Sequence, residues 1–342
     1  MKTEEFYINK CIEIARLAKG KTSPNPMVGS VIVCNGEIIG EGYHENYGKA
    51  HAEVNSITSV KDKSLLQKST LYVNLEPCAH FGKTPPCSNL IIEHKIPKVV
   101  IGCMDTFSEV SGKGIAKMEK AGIEVIVGVL EKESRELNKR FFTFHEQKRP
   151  YIILKWAKSK DGFIAPQNQT ESFWMTSSES KKLVHKYREE EDAILVGRIT
   201  AEKDNPSLTV REVEGNNPIR IVIDKDLKLS TDLNLFNSEA ETLIFNSVKT
   251  EKIYTNNFIK IDFNNLIKNI LKELYKQNIQ SVIIEGGGKT LQSFIDTNMW
   301  DEARIFTTNK ELTDGVKDPN IKGEIITETE IGGDKLKIIR ND

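Results

Sequence analysis

His51-Ala52-Glu53, then Glu76-Pro77-Cys78, then Pro86-Cys87, is the pattern that most limits how this chain can fold. One imidazole and two thiolates make a three-ligand tetrahedral zinc site with one position open to water. To serve it, a helix start at His51, a strand end before Cys78 and a second helix start at Cys87 must meet at one point. Bound zinc draws the pKa of water toward neutrality, so hydroxide becomes available to attack an electron-poor ring carbon. Glu53 is then placed to take the water's proton and deliver it to a leaving amine. A lone His-x-Glu is common on helix surfaces, and two cysteines alone can be buried apolar residues. The conjunction within one small domain favours the metal. A purely structural zinc site would want a fourth protein ligand, for which His80 is the candidate. The general signature of nucleobase deaminases, H-x-E followed by P-C-x-x-C, has its ligands and acid in the same order.

The rest of the chain must be organised around such a point. Its 342 residues suggest about two domains, each able to bury its own core. Residues 3–19 carry Tyr7, Cys11, Ile14, Ala15 and Ala18 at helical spacing, and Ser23-Pro24-Asn25-Pro26 forbids continuation. Strands at 27–33 and 37–42 flank an Asn-Gly hairpin turn. Helices are expected at 51–60, 88–94, 115–121 and 131–147, and strands at 70–75, 98–102 and 123–127. Such alternation argues for a layered α/β domain. Lys148-Arg149-Pro150 reads as a boundary, because apolar strands restart at Tyr151 and recur at 193–196, 219–223, 242–245 and 281–284, with a helix at 266–277. After about Asn309 the chain turns polar and shows no readable period. The expected domains are 1–147 and 150–342, two unlike α/β units with no internal repeat.

Charge and composition exclude several classes. Lys+Arg 48 against Asp+Glu 49 gives a net charge of −1, so no global basic field holds nucleic acid. No apolar run reaches the roughly eighteen residues of a membrane-spanning helix. The first residues are interrupted by Glu4, Glu5, Lys10, Glu13 and Arg16 and so lack a signal peptide's apolar core. Five cysteines are too few for a disulfide scaffold and fit a reducing compartment. The expected location is cytoplasmic.

The two cysteines are separated by residues 79–86, not by the two residues of the general deaminase signature. That insert, Ala79-His80-Phe81-Gly82-Lys83-Thr84-Pro85-Pro86, resembles the deaminase half of the bifunctional riboflavin-biosynthesis deaminase-reductases. Pro24-Asn25-Pro26-Met27-Val28-Gly29, Gly40-Glu41-Gly42-Tyr43-His44 and Gly48-Lys49-Ala50-His51-Ala52-Glu53 resemble the same family. The resemblance implies a cytidine-deaminase-like three-layer domain with zinc on His51, Cys78 and Cys87. It implies as substrate a diaminopyrimidinone carrying a ribosylamine 5′-phosphate, whose 2-amino group is replaced by oxygen. Asn25, His44, Lys83 and Thr84 would line the pocket. Asn25 offers donor and acceptor to a pyrimidine edge and Lys83 a cation to phosphate, although Asn25 is equally readable as a turn residue. Near Asp105 the sequence reads Asp-Thr-Phe-Ser where family members read Asp-Pro-Asn-Pro.

In the second half, Glu285-Gly286-Gly287-Gly288-Lys289-Thr290 follows a strand and opens a helix. A P-loop would need glycine at Ile283, and the G-x-G-x-x-G fingerprint does not fit either. Three glycines at a helix N-terminus suit a cofactor phosphate, or else simply make a tight turn. Ser159-Lys160-Asp161-Gly162, Ser172-Phe173-Trp174-Met175-Thr176-Ser177, residues 193–197, residues 204–211 and Pro218-Ile219-Arg220 resemble the reductase half of the same family, in family order. That resemblance implies a dihydrofolate-reductase-like domain using NADPH. Lys158, Trp174, Thr200, Asp204, Gly287, Gly288, Lys289, Thr290, Leu291, Gln292 and Ser293 would meet the cofactor. Ser172, Arg188, Leu208, Arg211 and Glu285 would hold the substrate. Arg188 and Arg211 can grip phosphate bidentately, although Arg188 also fits a solvated helix face. Lys158 and Lys160 depart from the family's usual residues, and nothing carries over beyond Ser293.

Most of residues 1–115 and about 150–290 together resemble a family whose members deaminate and then reduce a phosphorylated pyrimidine with Zn2+ and NADPH. A small-molecule partner, no nucleic acid or membrane, and a homo-oligomer are expected. The competing readings are a deaminase acting on a base in RNA, a zinc-stabilised binding module, and a member with one active domain.

Overall fold

A computed structural model describes residues 2–79, 85–106, 111–167 and 173–341. The chain forms two units, Met1–Gln147 and Lys148–Asp342.

The first unit runs α1 (Glu4–Ala15), β1 (Gly29–Cys34), β2 (Glu37–Tyr43), α2 (Ala52–Ser59), β3 (Thr70–Leu75), α3 (Cys87–Glu93), β4 (Lys98–Cys103), α4 (Lys113–Lys120), β5 (Glu124–Val127), α5 (Glu131–Leu137) and α6 (Lys139–Gln147). Its sheet has the order β2-β1-β3-β4-β5, with β3, β4 and β5 parallel. Side chains alternate across it, as the period of two demands. Ile32, Leu71, Val73, Val99 and Ile101 face α2, α3 and α4. Val31, Val33, Tyr72 and Val100 face α1. The result is the expected three-layer domain. The Asn-Gly turn is left-handed at both residues, with φ of 52° and 82°, which matches the twist of a two-residue hairpin.

One expected element divides. The closing helix at 131–147 is two helices, α5 and α6, which part at Asn138 (φ −104°, ψ 25°). The Asn138 amide is used elsewhere: Oδ1 accepts the Met27 N–H at 2.8 Å and Nδ2 donates to the Met27 carbonyl at 2.9 Å. Side chains thus satisfy this buried backbone segment, with Asn74 of β3 also donating to the Met27 carbonyl at 3.1 Å.

The second unit comprises β6 (Tyr151–Lys158), β7 (Phe163–Ala165), α7 (Ser178–Glu190), β8 (Ala193–Gly197), α8 (Arg198–Asp204), β9 (Ile219–Ile223), β10 (Thr242–Asn246), β11 (Glu251–Ile253), β12 (Asn256–Lys260), α9 (Leu266–Lys276), β13 (Ser281–Gly286), α10 (Gly288–Asp296), β14 (Glu302–Thr307), β15 (Val316–Lys317), β16 (Glu324–Ile331) and β17 (Asp334–Arg340). Its large sheet has the order β11-β12-β10-β9-β8-β13-β6-β14-β17-β16. The strands from β12 through β14 in that order are mutually parallel. Both faces are covered, Ile152, Leu154 and Trp156 on one and Tyr151 and Ile153 on the other, which explains the unbroken apolar runs. Chain order leaves β6 for β8 and later returns β13 between them, so the strand order reverses there. Ligands gather beyond the carboxyl ends of strands at such a point.

The polar stretch after Asn309 is ordered. β16 and β17 form a hairpin through Gly332-Gly333 (φ 55° and 85°), β17 pairs with β14, and β15 pairs with β7.

Replacing Asn138 by Ala removes two hydrogen bonds and strands a buried N–H. We expect a loss of about 2–4 kcal/mol in the first unit, read as a lower urea midpoint for loss of deaminase activity. An unchanged midpoint rejects the role given to Asn138.

Candidate functional site

In the first unit the metal candidates meet at the carboxyl edge of the sheet. His51 caps α2 with extended backbone, which places Glu53 in the helix's first turn. Gly42 of β2 lets α2 lie close, because a Cβ there would stand 2.4 Å from the Ser56 nitrogen. Cys78 follows β3, and Cys87 opens α3. His51 Nδ1 lies 3.6 Å from Cys78 Sγ and 3.3 Å from Cys87 Sγ. An ion with Zn–S of about 2.3 Å and Zn–N of about 2.05 Å in a tetrahedron sets sulfur and nitrogen about 3.6 Å apart. The three ligand atoms fall within 4.8 Å of one another. The donor set and its spacing fit zinc.

Hydrogen bonds already prepare these donors. The Cys87 thiol pulls Cys78 down to about 4, with His51 adding to the effect, and the Cys87 N–H donates to Cys78 Sγ at 3.3 Å. Glu53 is buried, 3% exposed. Burial first, and the Cys78 charge second, push its carboxyl up to about 7. A carboxyl near neutrality can both accept and return a proton.

His44 and Asn25 stand beside this centre. The His44 and His51 rings are 5.4 Å apart, edge to face. His44 Nδ1 donates to the Ala50 carbonyl at 3.0 Å, so Nε2 accepts from Asn25 Nδ2 at 3.1 Å. Burial lowers the His44 pKa and keeps the ring neutral. Lys83 and Thr84, the candidate fourth ligand His80, and Phe107 and Ser108 lie outside the described residues.

Glu76 is a residue whose role sequence reasoning missed. Its buried carboxylate accepts N–H groups from Asp105, Gly112, Gly114 and Ile115 at 3.0–3.4 Å. It anchors the turn into Cys78 to the start of α4. The available signal was an acid closing the apolar strand 70–75.

In the second unit, Arg188 and Glu285 pair at 2.8 Å, with side chains 6% and 9% exposed. Arg188 is therefore no solvated face. Lys155 stands 3.8 Å from the same carboxylate. Burial alone would raise Glu285, but Arg188 and Lys155 outweigh it and hold it down at about 2. Burial lowers the Lys155 pKa. Sequence reasoning gave Lys155 no role; its signal was a lysine inside an apolar parallel strand.

Arg211 is exposed, and its guanidinium donates to Ser207 Oγ at 3.0 Å. The side chains of Leu208 and Leu291 are packed in apolar cores, so only their backbone is free to meet a ligand. Thr200 and the glycine loop come together: a Cβ on Gly287 would stand 2.9 Å from Thr200 Oγ1, and one on Gly197 2.5 Å from Thr290 Oγ1. Gly288, Lys289, Gln292 and Ser293 belong to the same helix start, α10, with Lys289 and Ser293 exposed. Asp204 ends α8. Trp174 is 46% exposed, with Lys181 Nζ 5.6 Å from its ring centre. Lys158 is held at 2.6 Å by Asp318, from the stretch that showed no readable period. Ser172 lies outside the described residues.

Residues 1–103 match the family described as cytidine and deoxycytidylate deaminase zinc-binding region, and residues 150–312 match the RibD C-terminal domain. The chain is 43% identical over 321 residues to the riboflavin biosynthesis protein RibD of Aquifex aeolicus, covering 92% of this chain and 89% of that protein. It is 36% identical over 332 residues to the RibD of Synechocystis, covering 95% and 89%. Among solved structures, a diaminohydroxyphosphoribosylaminopyrimidine deaminase/5-amino-6-(5-phosphoribosylamino)uracil reductase from Thermotoga maritima superposes with a TM-score of 0.90. That match has 37% identity and covers 99% of each chain.

Two measurements test these sites. Cys87→Ser should lose most bound zinc on metal analysis; full occupancy removes Cys87 from the ligand set. The depressed Glu285 contributes stability that is full above the ordinary carboxylate pKa of about 4.3 and is lost as pH falls toward 2. At neutral pH the contribution is roughly 3 kcal/mol. Glu285→Gln should flatten acid unfolding between pH 4 and 2, followed by the tryptophans, all three of which lie in the second unit. An identical acid profile rejects the pairing.

Proposed function

Because the chain belongs to the RibD family of riboflavin-biosynthesis proteins, we propose the following division of labour among its residues. The protein is a bifunctional enzyme of riboflavin biosynthesis, a zinc-dependent deaminase followed by an NADPH-dependent reductase. The substrate we assign is 2,5-diamino-6-ribosylamino-4(3H)-pyrimidinone 5′-phosphate. The convergence of His51, Cys78 and Cys87 beside buried Glu53 carries this reading.

His51, Cys78 and Cys87 would hold zinc, which would bring the pKa of a water toward neutrality. Glu53 takes the proton of that water and passes it to the departing ammonia as the 2-amino group gives way to a carbonyl. Neutral His44, tied to the Ala50 carbonyl, holds Asn25 by its amide N–H. The Asn25 carbonyl then remains to accept from the pyrimidine edge. Lys83 and Thr84 are assigned to the same pocket.

NADPH, when bound, would supply the hydride for the ring-opened ribosyl carbon, and a proton from solvent would complete the ribityl amine. Arg211 takes the 5′-phosphate, being exposed and free to form a charge-assisted pair. Glu285 sits between Arg188 and Lys155, so each cation is oriented before substrate arrives, which is the economy of a preorganised site. Ser172 and the backbone at Leu208 complete this pocket. Lys158, Trp174, Thr200, Asp204 and the backbone N–H groups at the start of α10 are assigned to the cofactor, whose phosphate a helix N-terminus favours.

Deamination of a base in RNA has no use for the second unit, and the net charge of −1 offers no field for a polyanion. Cys11, Cys34 and Cys103, outside the zinc set, form no disulfide, which supports a reducing, cytoplasmic site of action. Exposed Ile325 and Ile326 on the edge strand β16 support a homo-oligomer.

The test supplies purified protein with the diaminopyrimidinone ribotide, with and without NADPH. Ammonia release without NADPH, and NADPH oxidation only after deamination, are expected. Glu53→Gln should retain zinc and lose deamination by several orders of magnitude, yet oxidise NADPH normally on the deaminated compound. Near-normal deamination by that variant rejects the proton shuttle.

A further inference from the structure

The segment that carries Arg211 has little regular structure to hold it. It leaves α8 through Asn205, which is left-handed at φ 39°, and turns again at Leu208, left-handed at φ 53°. Leu208 is pinned by burial, 1% exposed. The next three residues are each tied through a side chain. The Thr209 carbonyl accepts from Arg188 Nη1 at 3.3 Å, the Val210 N–H donates to Asn217 Oδ1 at 2.8 Å, and the Arg211 N–H donates to His185 Nδ1 at 3.1 Å. His185 and Arg188 lie one turn apart on the buried face of α7.

The last of these bonds has a chemical condition. Nδ1 accepts only when it carries no proton, so the ring must be neutral with its hydrogen on Nε2. His185 is 1% exposed, and burial, then Arg188 and Arg211, hold its pKa down at about 4, while Glu212 and Glu285 act weakly the other way. The ring is therefore a dependable acceptor at neutral pH. Arg211 itself is exposed and has few constraints on its long side chain beyond the Ser207 contact. What its backbone fixes is the point and direction from which that side chain leaves the loop.

We propose that His185 is a positioning residue of the reductase half-reaction, whose Nδ1 fixes the backbone of Arg211 and so aims the guanidinium at the substrate phosphate. This rests on the reading of Arg211 as the phosphate-holding residue. His185 touches neither substrate nor cofactor; it acts through the loop.

The experiment measures reduction of the deaminated ribosylamino-pyrimidinedione phosphate by full-length variants. Deamination by the same preparations and the tryptophan-monitored unfolding midpoint serve as controls of folding. His185→Leu fills the space without an acceptor. It should raise KM for the pyrimidine about tenfold, the worth of one hydrogen bond to a positioned charge, with kcat and KM for NADPH within about twofold. His185→Asn returns an oxygen near the position of Nδ1 and should restore KM. His185→Gln sets its amide one bond too far and should not; if His185→Leu fails to fold, this pair carries the comparison. Combined with Arg211→Ala, His185→Leu should add nothing further, because a residue acting through Arg211 has no effect once that side chain is gone.

An unchanged KM in both His185→Leu and His185→Gln overturns the proposal while Arg211 keeps its role. So does a multiplicative effect in the double variant, or an equal loss in kcat and in KM for NADPH, which is the mark of general damage. If Arg211→Ala alone leaves KM unchanged, the assignment of Arg211 fails and the proposal falls with it.

Discussion

A parallel strand buried on both faces has to shed its polar groups at its ends, and that constraint places the chemistry of both units. Along β3, β4, β6, β8 and β13 most side chains are apolar and buried. Backbone groups within the sheet pair with neighbouring strands, and Lys155 in β6 is the functional cation found inside a strand. At their carboxyl ends the ladder stops and helices begin, bringing unpaired N–H groups and room for side chains that need partners. Cys78 follows β3, and the glycine loop follows β13. Glu76 and Glu285 are the acids at those same strand ends. The first takes four backbone N–H groups, and the second takes Arg188 and Lys155.

These two carboxylates resolve the same cost differently. A buried charge without compensation costs several kcal/mol. Glu76 is compensated by fixed amides, so it binds a turn in place and has nothing left to offer a ligand. Glu285 is compensated by the side chains of two cations, Arg188 and Lys155, which it holds in place. Arg220 makes the contrast from the other sign. It is fully buried, and its N–H groups go to Thr242, Asn234, Asn237 and Ala240, all neutral oxygens. That guanidinium staples a loop and is spent. Arginine type alone does not distinguish Arg220 from Arg188; what each one faces does.

This difference also marks how far the sequence could be read. Strand 70–75 matches residue for residue, because the short run led by Thr70, Leu71, Tyr72 and Val73 favours a strand and is too short for a helix. The metal ligands were legible because histidine and cysteine beside proline and glutamate are rare enough to be informative. The break at Asn138 was not, since helical residues continue on both sides and the cause is a bond to Met27, 111 residues earlier. Nor were the Arg188–Glu285 and Lys158–Asp318 pairs, whose partners lie 97 and 160 residues apart. The hairpin of β16 and β17 hid for another reason. β16 is exposed along most of both faces, so selection for burial imposes no alternation, and only Gly332-Gly333 was left as a signal.

The two buried imidazoles, His44 and His185, show the same principle at finer grain. Each is neutral because it is buried, and each has Nδ1 committed to a backbone group, but the commitments are opposite. In His44 the partner is a carbonyl, that of Ala50, so Nδ1 carries the proton and Nε2 becomes the acceptor that steadies Asn25. In His185 the partner is an N–H, that of Arg211, so Nδ1 is the bare nitrogen and the proton moves to Nε2. A single backbone atom therefore selects the tautomer, and the tautomer selects what the far side of the ring can do. Exchanging either histidine for a cation would remove an acceptor, and exchanging either for an apolar residue would remove the link. That is why a side chain able to present either face, uncharged, occupies both positions behind the residues assigned to touch substrate.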